Sequence, residues 1–154
     1  MVLLLLAALG PSTASAASMN VSGATALAVA AVVAPYSPLL GARDKKIIAS
    51  LFDGNERVGT FKTRLSVTAD ALTCRISNVD ITLRSCQISF GKARHSLKGR
   101  AANEVYATLA TAGVVAEGAA GSMIESISKL SCTLDPGEIK QNGGGGAACK
   151  FSTE

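Results

Sequence analysis

Four cysteines, one histidine and one run of cations are the residues whose types and spacing bear on chemistry. The cysteines are Cys74, Cys86, Cys132 and Cys149, with no C-x-x-C pair among them, and His95 is the single histidine. A thioredoxin-type exchange site needs the close pair, and the common zinc patterns need more sulfur or imidazole at short spacing, so no metal and no cofactor is expected. An even number of cysteines behind an export signal instead favours two structural disulfides. Cys74 with Cys86 and Cys132 with Cys149 is the leading pairing, because each pair is close in the chain and lies on neighbouring strand-like segments. Leu72, Cys74 and Ile76 alternate with polar residues, as do Cys86, Ile88 and Phe90, which turns these sulfurs toward a core. Each closed loop stabilises the fold by roughly 3 kcal/mol on the chain-entropy account.

The cations are Arg84 and then Lys92, Arg94, Lys98 and Arg100, with His95 among them as a further candidate anion contact and no acidic residue between Asp80 and Glu104. As a hairpin or loop leading into a helix at Ala101, this stretch would present positive charge to phosphate, sulfate or carboxylate groups. No aromatic residue is interleaved to stack bases, which places an anionic envelope polymer ahead of nucleic acid as a partner. His95 and Glu104 with Arg94 or Arg100 are the residue types of a phosphodiester-cleaving acid–base pair, but no spacing draws them together. Gly143 to Ala148 formally fits G-x-G-x-x-A; only six residues follow Ala148, too few for the helix and strand a nucleotide fold requires. No G-x-S-x-G, P-loop or H-E-x-x-H motif is present.

The segments that must position these residues begin after a leader. Val2 to Leu9 is a short apolar run, followed by Gly10-Pro11 and small residues containing A-x-A at Ala14 to Ala16. Residues 1–16 read as a secretory signal peptide lacking its usual basic start, and residues 17–154 as one exported domain, periplasmic or extracellular. A second apolar stretch, Ala24 to Ala34, is closed by Pro35 and Pro38 and is too short for a membrane span, so a soluble helix with Ser22 as its N-cap is expected. Asn20-Val21-Ser22 also matches the three-residue glycosylation acceptor pattern.

Further along, Ile47, Ile48, Leu51 and Phe52 share one face of a helix expected over Asp44 to Phe52, starting as early as Ser37. From Val58 the period becomes two, with Phe61, Thr63, Leu65 and Val67 on one side. Parity flips after Ile76 and again after Leu83, which predicts turns or bulges at Ser77-Asn78 and Arg84-Ser85. Ala102, Val105, Tyr106 and Leu109 return to helical spacing with Gly113 as a cap, and Ala120, Met123, Ile124 and Ile127 predict a further helix. Leu130 to Leu134 and Ala148 to Phe151 read as strands, separated by a turn at Asp135-Pro136-Gly137 and a loop at Gly143 to Gly146. No internal repeat stands out. The expected fold is α+β: a small antiparallel sheet packed with three to four helices in a single disulfide-braced domain.

Composition narrows the class further. The chain has 154 residues, net charge +4, 17% charged residues and 26 alanines, but no tryptophan. A disordered charged tail is excluded, and the core must be built from small side chains. The expected role is non-catalytic binding or scaffolding, through the basic loop toward an anionic polymer or, alternatively, as a secreted inhibitor or protein-binding module.

Overall fold

The computed structural model describes residues 17–53, 63–77, 80, 83–113, 124–136 and 146–153. Residues 1–16, expected to be a signal peptide, the segment from Val58 to Lys62, the groups at Val79 and Ile81, Ala120 to Met123 and the glycine run up to Gly145 lie outside the described residues. In chain order the elements are β1 (Ala17–Ser22), α1 (Gly23–Val33), a 3-10 turn (Ala34–Tyr36), α2 (Ala42–Phe52), β2 (Leu65–Ala69), β3 (Ala71–Ile76), β4 (Arg84–Phe90), β5 (Ala93–Lys98), α3 (Gly99–Thr111), β6 (Ile124–Ile127), β7 (Lys129–Leu134) and β8 (Ala147–Thr153).

The α+β class holds, but the strands form two antiparallel sheets where one was expected. The first has the order β1-β8-β7-β2 and the second β5-β4-β3-β6. The division comes from a change of side-chain parity at single connecting residues. Leu65, Val67 and Ala69 point inward on β2, whereas Leu72, Cys74 and Ile76 do so on β3; Asp70 alone joins them. Ser128 joins β6 to β7 in the same way, between inward Ile127 and inward Leu130. Both strands therefore cross from one sheet to the other at the same level, Ala69 opposite Leu130 and Leu72 opposite Ile127.

Several local expectations are corrected. Arg84 and Ser85 are regular strand residues opposite Ile76 and Arg75, because the parity change is absorbed earlier, where Ser77 N–H donates to the Leu83 carbonyl. Ile124 to Ile127 is strand rather than helix: pairing with β3 sets Ile127 opposite Leu72, and tertiary pairing overrides a helical spacing that alanines had left weakly defined. Of the two forms expected for the basic stretch, the hairpin is the one present: β5 pairs with β4 as an edge strand and leads into α3. Ser22 does occupy the N-cap of α1, but its side chain makes no capping hydrogen bond. Helix α2 begins at Ala42, and of the four residues assigned to its apolar face Phe52 is 54% exposed.

Helices α1 and α3 lie on the inner faces, α1 over β8 and α3 over β4, and pack against each other; α2 packs on α1. Enclosed on several sides, α1 is apolar nearly all round, which is the signature of a core helix. At 11 residues it is about 16 Å long; no helix among the described residues is long and apolar enough to cross a membrane.

The two disulfides form as expected. Cys74–Cys86 joins directly opposite residues of β3 and β4, and Cys132–Cys149 those of β7 and β8, with Cα–Cα distances of 4.1 and 4.0 Å. Each sits beneath a helix alanine. Cys86 Sγ is 3.6 Å from the Ala102 carbonyl oxygen, and Cys149 Sγ is 3.3 Å from that of Ala26.

That correspondence extends over all eight described strands and helices α1 and α3, so the expectation of no internal repeat is also corrected. The run β2-β3-β4-β5-α3 is matched element for element by β6-β7-β8-β1-α1, the second unit being divided between the late and early parts of the sequence. Ser85 faces Lys98 as Ala148 faces Ser22, and Phe90 faces Ala93 as Thr153 faces Ala17. Asp70 N–H donates to the Ser89 carbonyl at 2.8 Å, and Ser128 N–H to that of Ser152 at 2.8 Å. Gly99 and Gly23 open the two helices at φ +60° and +68°, a left-handed backbone that disfavours a Cβ. Ala102, Val105, Tyr106 and Leu109 are then buried at the same steps as Ala26, Val29, Ala30 and Val33.

Candidate anion-binding face

Strand alternation decides what each sheet shows to solvent. Among the described side chains the inner faces are apolar apart from Arg84 and His95, and the outer faces, away from the helices, carry the residues between them. Strands β1 to β5, β7 and β8 contain no aspartate or glutamate anywhere in their lengths. Their outward positions hold Arg75, Arg94, Lys98, Lys129 and Lys150, all exposed, set among serine and threonine hydroxyls, Asn20 and Gln87. Their aromatic residues, Phe90 and Phe151, are both buried.

The cations expected to act together are divided by this alternation. Arg94 and Lys98 both point outward on edge strand β5, with Ser96 between them. Lys92 is exposed in the β4–β5 turn, where the Gly91 N–H donates to the Asp70 carboxylate. Arg84 has inward parity: its guanidinium lies 4.8 Å from the Tyr106 ring centroid, and Nη1 donates to Asn103 Oδ1 at 3.4 Å. It holds α3 against β4 and takes no part in the outer face. His95 is also turned inward, with its ring centroid 6.0 Å from that of Tyr36 and 5.9 Å from that of Phe90. Arg100 sits on the first turn of α3, with Nε 3.6 Å from Glu104 Oε1.

The acid–base pair considered for phosphodiester cleavage is thus held by different neighbours: His95 by two aromatic rings, Glu104 by Arg100 and a groove it shares with Ala28, Val32 and Phe52.

Residues absent from the sequence-based set complete the outer face. Arg75 is opposite Ser85, and Ser85 is opposite Lys98, so the three form one cross-strand row. Two interstrand spacings put the Arg75 and Lys98 backbones about 10 Å apart. The corresponding row of the first sheet is Thr133, Ala148 and Ser22. Short side chains there leave a shallow hollow of about 390 Å³, lined also by Asn20, Ser131 and Lys150. Arg75 and Lys150 each stand alone in their strands, so charge clustering along the chain does not reveal them. The signal that does is the absence of acids from whole strands. Comparison with protein-family models, curated proteins and solved structures found no match.

Proposed function

We propose that this is an exported, non-catalytic binding protein that holds an acidic polysaccharide against the outer faces of its two sheets. The observation that carries the reading is the exclusion of carboxylates from seven strands whose outward positions bear five cations among hydroxyls. Cations supply attraction to sulfate or carboxylate groups, and the hydroxyls and amides supply hydrogen bonds to sugar oxygens. The lack of an outward aromatic residue on these strands argues against single-stranded nucleic acid, whose usual platform is base stacking. Two buried disulfides suit an oxidising compartment, in keeping with the leader pattern of residues 1–16.

The test is retention on immobilised heparin as salt is raised. The natural chain should be retained at about 0.15 M salt, where charges within roughly 8 Å still act. Glutamine at all five of Arg75, Arg94, Lys98, Lys129 and Lys150 should abolish retention, whereas glutamine at Arg43, Lys45 and Lys46 on α2 should leave most of it. Failure of the natural chain to bind would remove the proposal.

A further inference from the structure

The internal repeat provides a comparison of one backbone site carrying two sets of side chains. The positions of Arg75, Arg94 and Lys98 in the second sheet correspond to Thr133, Ser18 and Ser22 in the first, since each residue faces the equivalent partner across the ladder. At these three positions identical strand geometry is cationic on the second sheet and hydroxylic on the first, whose own outward cations, Lys129 and Lys150, stand where the second has Ala71 and Gln87.

We infer that the two outer faces divide the work: Arg75, Arg94 and Lys98 form an anion-gripping subsite on the second sheet, and the hollow of the first sheet, where Asn20, Ser22, Ser131 and Thr133 surround the single cation Lys150, forms a subsite that hydrogen-bonds sugar hydroxyls. This rests on the acidic-polysaccharide reading above and adds where on the face each chemistry resides.

Three features support the division. Arg75 and Lys98 flank the Ser85 hydroxyl in one row, so an anion bridging them meets a donor between two charges. Arg94 lies four residues along β5 from Lys98, about 13 Å away, which places a third charge for a second anionic group of an extended polymer. The hollow of the first sheet, about 390 Å³, exists because Ser22, Thr133 and Ala148 are short where their counterparts Lys98, Arg75 and Ser85 include two long side chains; ligand sites commonly measure about 300–1,000 Å³. Lys150 stands between Asn20 and Ser131 in this hollow and gives it one positive charge among the hydroxyls and amide.

The experiment measures affinity for heparin, polygalacturonate, neutral dextran and single-stranded RNA across a salt series, with folding of every variant checked by circular dichroism. Replacing Arg75, Arg94 and Lys98 together by glutamine should weaken binding to heparin and polygalacturonate and flatten the slope of log affinity against log salt by about two to three units, close to one per lost ionic contact. On that neutralised chain, Ser18→Arg, Ser22→Lys and Thr133→Arg should restore the slope, by rebuilding the subsite at the equivalent positions. The same three cations at exposed helix positions Ala24, Ala107 and Thr111 should not.

Asn20→Ala with Ser131→Ala should lower affinity severalfold while leaving the salt slope unchanged. Equal rescue by the helix-placed cations, or a glutamine triple that binds as the natural chain does, overturns the bipartite site. Those results leave the broader reading standing if the five-fold glutamine variant still loses heparin. Binding of RNA alone would overturn both.

Discussion

Small residues acquire their meaning from what they touch. Ala26 and Ala102 are each fully buried, with their carbonyls against Cys149 and Cys86, so at these two positions alanine lets a helix lie directly over a disulfide. A larger side chain at these positions has no room without pushing helix from sheet. Ala26→Leu and Ala102→Leu should each destabilise the protein by about 1–3 kcal/mol through overpacking. Thermal unfolding followed by circular dichroism should show a fall of several degrees for both, because the two sites repeat one another. Ala107→Leu on the exposed side of α3 should leave the midpoint nearly unchanged. A neutral result at Ala102 would mean that the helix–disulfide contact is looser than its geometry indicates. The same scale explains the fate of Arg84: its place in the cationic sequence said nothing of its parity, and parity sends it under Tyr106 instead of onto the outer face.

Strands and helices of this chain are individually modest, and cross-links hold the sheets in register. Each disulfide ties a pair of directly opposed residues on the inner side of its sheet. Substituting both members of either pair with alanine should cost about 3 kcal/mol, since the loops they close are similar in length. A midpoint lowered by roughly 6–12 °C in either double variant, and by more in the quadruple variant, is the expected outcome of thermal unfolding. A large loss at one pair and none at the other would show that the two halves are not energetically equivalent. Edge strand β5 carries Arg94 and Lys98 outward, which discourages edge-to-edge pairing as well as furnishing the proposed site. Alternation made β3, β4, β7 and the cysteine pairing legible, because a half-buried strand writes its period into sequence. Strand β6 was not legible, because four residues with isoleucines three apart satisfy a helical spacing equally well.

At the scale of the molecule, the repeat predicts how the fold can be cut. Thr153 and Ala17 face each other as Phe90 and Ala93 do, and the latter pair is joined by the two-residue turn Gly91-Lys92. A circular permutant running Ala93 to Thr153, then Gly-Lys, then Ala17 to Phe90, should therefore fold with both disulfides and a thermal midpoint within a few degrees of the natural arrangement. Opening the chain inside β7, between Ser131 and Cys132, should prevent folding; comparable stability for both cuts would contradict the repeat. The sequence by itself determined the α+β class and the polarity of most strands and pointed to the disulfide pairs and the helix α1, because local period and spacing encode which side of an element meets the core, while the structure selected that pairing among the three possible and buried α1 in the core. Only the tertiary structure decided that there are two sheets, that their units repeat, and that Arg75 joins Lys98 across Ser85 while Arg84 and His95 turn away. Those relations join residues distant in the chain through ladder register and a change of parity at one residue. No local pattern records which strand lies beside which.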